Sequence, residues 1–241
     1  MQAIFETAFD ALYLVTVVTL GIIMIKHSLS ADYSDPTESG DFLCGKRQYL
    51  LFGIMAVTLG VGDAFHLVPR AIALCTTGLE SYTAALGIGK LITSVTMTAF
   101  YVLLYYGWRS RYKVSGKPVI TAAVWFCAAV RVVVCFLPQN KWTSSDAPLS
   151  WGIYRNIPFA VLGGIIVVLF MHSAKKCGDR GFRFLWLTVV LSFGFYIPVV
   201  LFADAVPAIG ILMVPKTCAY VWTVLIGFNS MRRNLKYEKM S

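Results

Sequence analysis

The sequence predicts an all-α integral membrane protein of seven transmembrane helices. Two observations carry this. First, the 241 residues are 58% apolar and only 14% charged, with a mean hydropathy of +0.70, which suits a bilayer and not a soluble core. Second, the apolar residues fall into stretches at 8–28, 48–68, 84–107, 118–137, 152–171, 183–203 and 208–229. Each is about the 20 residues that cross a hydrocarbon core. Together they leave no room for a soluble unit, so 1–241 reads as a single domain.

The first stretch follows MQAIFETAFDAL, with Glu6 and Asp10 where a secretory signal would be basic, and reads as a retained helix. Lys26, Lys46 and Arg47 follow it. Basic residues recur in the third connection (Arg109, Arg111, Lys113, Lys117), the fifth (Lys175, Lys176, Arg180, Arg183) and the C-terminal segment (Arg232, Arg233, Lys236, Lys239). The other connections hold little beyond Arg70 and Lys141. The positive-inside rule then predicts a plasma-membrane protein with its N-terminus outside and its C-terminus cytoplasmic. It also turns the net charge of +9 from a nucleic-acid signal into a topological one, with contact to anionic membrane lipid as a second use.

The second and third stretches carry Asp63, His66, Arg70 and Lys90. The first three are spaced i, i+3, i+7, which predicts one helix face, and Lys90 shares a stripe with Ser94, Met97 and Thr98. The fourth buries Arg131 within Ala-Ala-Val-Arg-Val-Val-Val, about two helical turns before Pro138. The fifth opens with Tyr154, Arg155 and Asn156, and the last two contribute Asp204 and Lys216. Charges inside a bilayer are kept where they face a polar cavity or a partner. On this topology all of these residues belong to the outer half, which predicts an outward-opening vestibule. Lys90, Arg155 and Lys216 have an alternative, to snorkel to the interface; Arg131 is too deep for that. Trp142 and Trp151 read as interface anchors. Gln139, Asn140 and Asn156 read as either headgroup-orienting amides or caps of helix ends.

The chain also repeats itself. Stretches one and five end in His27-Ser28 and His172-Ser173, the following stretches reach Asp63 and Asp204, and prolines (Pro69, Pro207) precede a glycine and a lysine, Gly87 with Lys90 and Gly210 with Lys216. The expectation is two parallel three-helix repeats, helices 1–3 and 5–7, joined by helix 4.

Six cysteines without a CxxC spacing exclude a disulfide framework, and His27, His66 and His172 do not converge, so neither a metal nor another cofactor is expected. Lys216 in the last helix invites a retinal reading, which the absence of any acid between Ala84 and Tyr106 opposes.

Gly62-Asp63-Ala64-Phe65-His66-Leu67-Val68-Pro69-Arg70 resembles the lysoplasmalogenase-like membrane proteins, whose Gly-Asp element ends a helix before a Leu-x-Pro-type exit; Ala203-Asp204-Ala205 matches their late aspartate. The resemblance implies a lipid-directed hydrolase that cleaves the vinyl ether of a lysolipid with two aspartates. Asp63, Asp204 and His66 would then be the catalytic group, two carboxylates in unlike environments dividing acid and base roles. Lys90, Arg131, Tyr154, Arg155, Asn156 and Lys216 would bind the ligand. The alternative is a transporter, or a seven-helix receptor or sensor, for a small anionic solute, in which each aspartate neutralises a pocket cation.

Overall fold

The computed structural model describes residues 2–30, 45–76, 78–203 and 205–238. Among these, seven helices are long and apolar enough to cross a membrane, and no strand occurs. They are α1 (Gln2–Leu29), α2 (Lys46–Cys75), α3 (Thr83–Arg111), α4 (Pro118–Phe136), α5 (Leu149–Lys176), α6 (Leu185–Phe202) and α7 (Met213–Glu238). Short 3-10 turns at Leu79–Tyr82, Pro138–Asn140 and Pro207–Leu212 lead out of α2, α4 and α6. Each helix packs on its sequence neighbours, α7 closes back against α1 and α2, and α3 also meets α5. Outward faces carry exposed apolar side chains such as Leu12, Phe126, Val133 and Val168, as a lipid-facing surface requires.

Local sequence explains most boundaries. Pro118 opens α4, where its missing N–H costs nothing. The C-terminus of α3 stops in a Schellman arrangement: Val114 N–H donates to the Arg109 carbonyl at 2.9 Å, with Lys113 left-handed at φ 47°. α5 stops the same way, with Gly178 at φ 62° and Asp179 N–H donating to the Ala174 carbonyl at 3.0 Å.

One boundary departs from expectation. A helix ending ahead of Pro69 was predicted, yet α2 runs through it to Cys75. Proline has no N–H to give the carbonyl four residues back, here that of Phe65. α3 covers that place: a Cβ on Gly89 would collide with the Phe65 carbonyl oxygen. α2 and α3 therefore pack closely at the freed carbonyl, with His66 up against the first turns of α3.

The core is aromatic. Tyr101 makes edge or tilted contacts with Phe100, Phe159 and Phe193 at centroid distances of 4.9 to 5.7 Å. Towards the end of the bundle that carries the α1–α2, α3–α4 and α5–α6 connections, Tyr105, Trp108, Phe170 and Phe182 continue it. The Trp108 indole N–H donates to Ser173 Oγ at 2.9 Å, giving this half of the His172-Ser173 pair a packing role.

A carboxylate knot closes that end. Arg111, at the last residue of α3, grips Asp179 of the α5–α6 connection in a fork, Nε to Oδ2 at 2.8 Å and Nη2 to Oδ1 at 2.9 Å. Arg111 Nη1 donates to Ser230 of α7 at 3.2 Å, and Tyr112 O–H donates to Asp179 at 3.1 Å. Gly181 and Phe182 N–H groups donate to the same carboxylate. Burial by itself would raise the Asp179 carboxyl, but the hydrogen bonds and charge of Arg111 hold it below the usual carboxylate range. Arg111 is therefore more than a topological charge: it ties α3, α7 and the α5–α6 connection together.

Candidate functional site

At the opposite end, roughly 30 Å away along α3 at 1.5 Å per residue, a cavity of about 430 Å³ is lined by residues of α2 through α7. Of the nine candidate catalytic and ligand-binding residues, five line it: His66, Lys90, Arg131, Arg155 and Lys216. No aspartate or glutamate of the described residues does. The cavity carries four formal cations, one each from α3, α4, α5 and α7.

Each of three cations is backed by a ring. The Arg131 guanidinium lies 3.3 Å from the Phe159 centroid, the Arg155 guanidinium 4.4 Å from that of Trp142, and the Lys216 ammonium 4.6 Å from Tyr196 and 5.5 Å from Tyr220. A ring face steadies a cation by its quadrupole without consuming its charge or its N–H donors. Arg131 shows the result most clearly. It is 2% exposed, and neither its Nε nor its Nη1 has a hydrogen-bond partner among the described residues. Leaving a buried charged donor unmatched costs several kcal/mol, so such a group is kept where something else completes it. The sequence offers Asp63 or Asp204 as its resting partner; Asp204 lies outside the described residues, and Asp63 does not serve. Its carboxylate accepts a hydrogen bond from the Tyr13 hydroxyl at 2.6 Å, does not line the cavity, and lies within the field of Lys216.

The roof is the α4–α5 connection. Asn140, 1% exposed, donates through Nδ2 to the carbonyls of Val134 and Leu137 at 2.6 and 3.0 Å, capping α4, and accepts from Arg155 Nη1 at 3.1 Å. The Trp142 indole N–H donates to the Cys135 carbonyl at 2.8 Å. The backbone of Trp142 rests on Gly87 of α3, where any Cβ would collide with its carbonyl oxygen. Asn140 is thus a cap that also orients a pocket arginine, and Trp142, read from the sequence as an interface anchor, also forms a wall of the cavity.

The remaining expectations divide. Arg155 does not snorkel outward but turns onto Trp142. Asn156 stands behind the lining: its Nδ2 donates to the Gly152 carbonyl at 2.8 Å and its Oδ1 accepts from Tyr196 O–H at 3.4 Å, so it steadies the ring under Lys216. Tyr154 is half exposed against Trp151 and does not line the cavity. Asp204 lies outside the described residues. Asp63, His66 and Arg70 do not act as one face. Arg70 pairs with Glu6 at 2.7 Å on the α1 side, as Asp63 does with Tyr13, whereas His66 points to α3, its Nδ1 3.3 Å from the Leu86 carbonyl. Positions seven apart differ by only about 20° around a helix, but positions three apart differ by about 60°. Because a carbonyl only accepts, that Nδ1 carries the proton. The described residues contain no cluster of three metal-ligating side chains.

Sequence reasoning passed over Phe159, Tyr196, Tyr220 and the Trp142 ring. The usable signal was indirect: four embedded cations facing few acids require some other support, and aromatic residues one turn from Arg155 and Lys216 offer it.

Fold and site together define a helical membrane protein with a cation-lined cavity at one end of its bundle, to which no carboxylate of the described residues contributes. No protein-family model, curated protein or solved structure matches the chain.

Proposed function

We propose that this protein is a membrane receptor or sensor that captures a small organic anion in the basic cavity. The observation that carries the reading is the deeply buried Arg131, with two nitrogens unmatched and, among the described residues, a cavity lined by three more cations and no carboxylate. The fork of a guanidinium suits a carboxylate or a phosphate, held by paired charge-assisted hydrogen bonds. Receptor is favoured over carrier because the far end is closed by the aromatic core and by the buried Arg111–Asp179 knot, which a carrier would have to break in each cycle. The lipid-hydrolase reading needs Asp63 and Asp204 at the substrate; Asp63 is engaged by Tyr13 away from the cavity lining, so binding is better supported than hydrolysis.

The alternating basic connections support a plasma-membrane placement with the cavity and N-terminus outside and the C-terminus cytoplasmic. Lys90 and Lys216 on the same cavity also support two parallel three-helix repeats. Labelling of cysteines placed at Gln2 and Ser241 tests the sidedness; finding both on one face defeats it.

The test of binding is a thermal-shift titration of detergent-purified protein with a panel of organic carboxylates and phosphate esters. The wild type gains melting temperature with some of them. Arg131→Lys keeps the charge and loses the fork, so it weakens that response; Arg131→Leu removes it, while both variants still insert and fold. An undiminished response in both variants refutes the reading.

A further inference from the structure

Counting charge narrows the ligand. Four cations line one cavity, and only one of them, Lys216, has a carboxylate acting on it among the described residues, that of Asp63. Among the described residues, three positive charges, those of Lys90, Arg131 and Arg155, are left without a countercharge around a space of about 430 Å³. A single carboxylate completes the Arg131 fork and leaves two cations repelling each other across a cavity walled by hydrocarbon and aromatic rings. The ring contacts cannot relieve this, because a quadrupole attracts a cation without neutralising it. Lys90 is the most telling case. It is exposed at the cavity, has no ring or carboxylate partner among the described residues, and projects from α3 while Arg131 projects from α4.

We propose that the cavity takes an organic anion carrying two negative charges, a dicarboxylate or a phosphomonoester, with Arg131 holding one charge and Lys90 and Arg155, the other cations on which no described carboxylate acts, holding the second. This rests on the anion-binding reading and goes beyond it, since that reading is met equally by a monoanion. The size of the cavity falls within the usual range for small-molecule sites, and its apolar walls, among them Phe159, Val199 and Met213, suit a short hydrocarbon body between the charged ends. Both free solutes and the headgroup of a monoacyl lipid phosphate present this chemistry.

The experiment compares pairs that differ by one charge at nearly constant size, using full-length protein in nanodiscs and calorimetric titration. The probes are pentanedioate against pentanoate, and phenyl phosphate against its methyl ester. The dianion of each pair binds at least about tenfold tighter, the worth of one added charge-assisted hydrogen bond. Lys90→Gln and Arg155→Gln each narrow that ratio. A lysophosphatidate probe against glycerol phosphate separates the sources: a large gain from the acyl chain assigns the headgroup of a lipid, and equal affinity assigns a free solute. If monoanion and dianion bind alike and Arg131→Leu abolishes both, the charge count is wrong while the anion site stands. If no anion binds the wild type, both fall. A ratio unchanged in both of these variants also overturns the proposal.

Discussion

Replacing Asp179 by asparagine tests the knot that closes the far end of the bundle. The side chain keeps its shape and loses its charge. In the wild type the carboxylate accepts from Arg111 at 2.8 and 2.9 Å, from Tyr112 at 3.1 Å and from two backbone N–H groups at 3.0 and 3.2 Å. Both partners of the ion pair are buried, with 6% and 2% of their side-chain surface exposed. The substituted amide has one carbonyl oxygen for these donors and turns an N–H₂ group towards Arg111, which leaves a buried guanidinium without a counter-ion. Breaking a buried pair from one side costs about 3–5 kcal/mol. Denaturant titration of purified protein in micelles at neutral pH should register that loss, and the double change Asp179→Leu with Arg111→Met should recover much of it, because no charge is then stranded. The pH dependence follows from the same contacts. The native carboxyl titrates below its free value, so its contribution is fully present above about pH 4 and is lost as the pH falls through the depressed native value. The wild type should therefore lose melting temperature below about pH 4 by a component that Asp179→Asn lacks. A cost under about 1 kcal/mol, the size expected of an exposed surface pair, would refute the claim that this contact locks the bundle.

Gly87→Ala sets a methyl group against the backbone carbonyl of Trp142 and displaces the roof of the cavity; we expect a loss of about 1–3 kcal/mol and weaker anion binding, read by denaturant titration and by calorimetry, and unchanged binding would show that the roof does not set the position of Arg155. Lys113→Gly relieves a left-handed lysine at φ 47° after α3 and should raise stability by about 1 kcal/mol; a loss of stability would show that the lysine side chain matters more there than its backbone.

The helices were legible because each needs about 20 apolar residues and little else. Four cations could be assigned to one cavity for the same reason: embedded charge has few places to go. The pairings were not legible. Arg111 stood among Arg109, Lys113 and Lys117 and passed as one more topological charge, yet its partner lies 68 residues away. Asp179 is the only acid among Lys175, Lys176, Arg180 and Arg183, a pattern that called for an explanation of its own. Pro69 misled by its local rule, since α2 continues through it with the freed Phe65 carbonyl packed against Gly89 of α3. Trp142 showed only its average behaviour: tryptophans at this depth usually anchor an interface, and only the fold shows this one also bonded to the end of α4 and lying under Arg155.

The rings behind the cavity cations bear on the stability of the empty protein. Phe159, Trp142, Tyr196 and Tyr220 fix where the positive groups stand, so an arriving anion meets donors already in place and little conformational freedom is lost on binding. The same fixation prevents those cations from moving apart when nothing is bound. Repulsion is then stored in the fold, and it lowers the melting temperature of the empty state. A ligand that relieves it gains that stored energy in addition to its own contacts, so occupancy and resistance to unfolding rise together. Lys90→Gln, which removes one of the positive charges and strands no carboxylate, should for this reason be harder to melt when empty than the wild type.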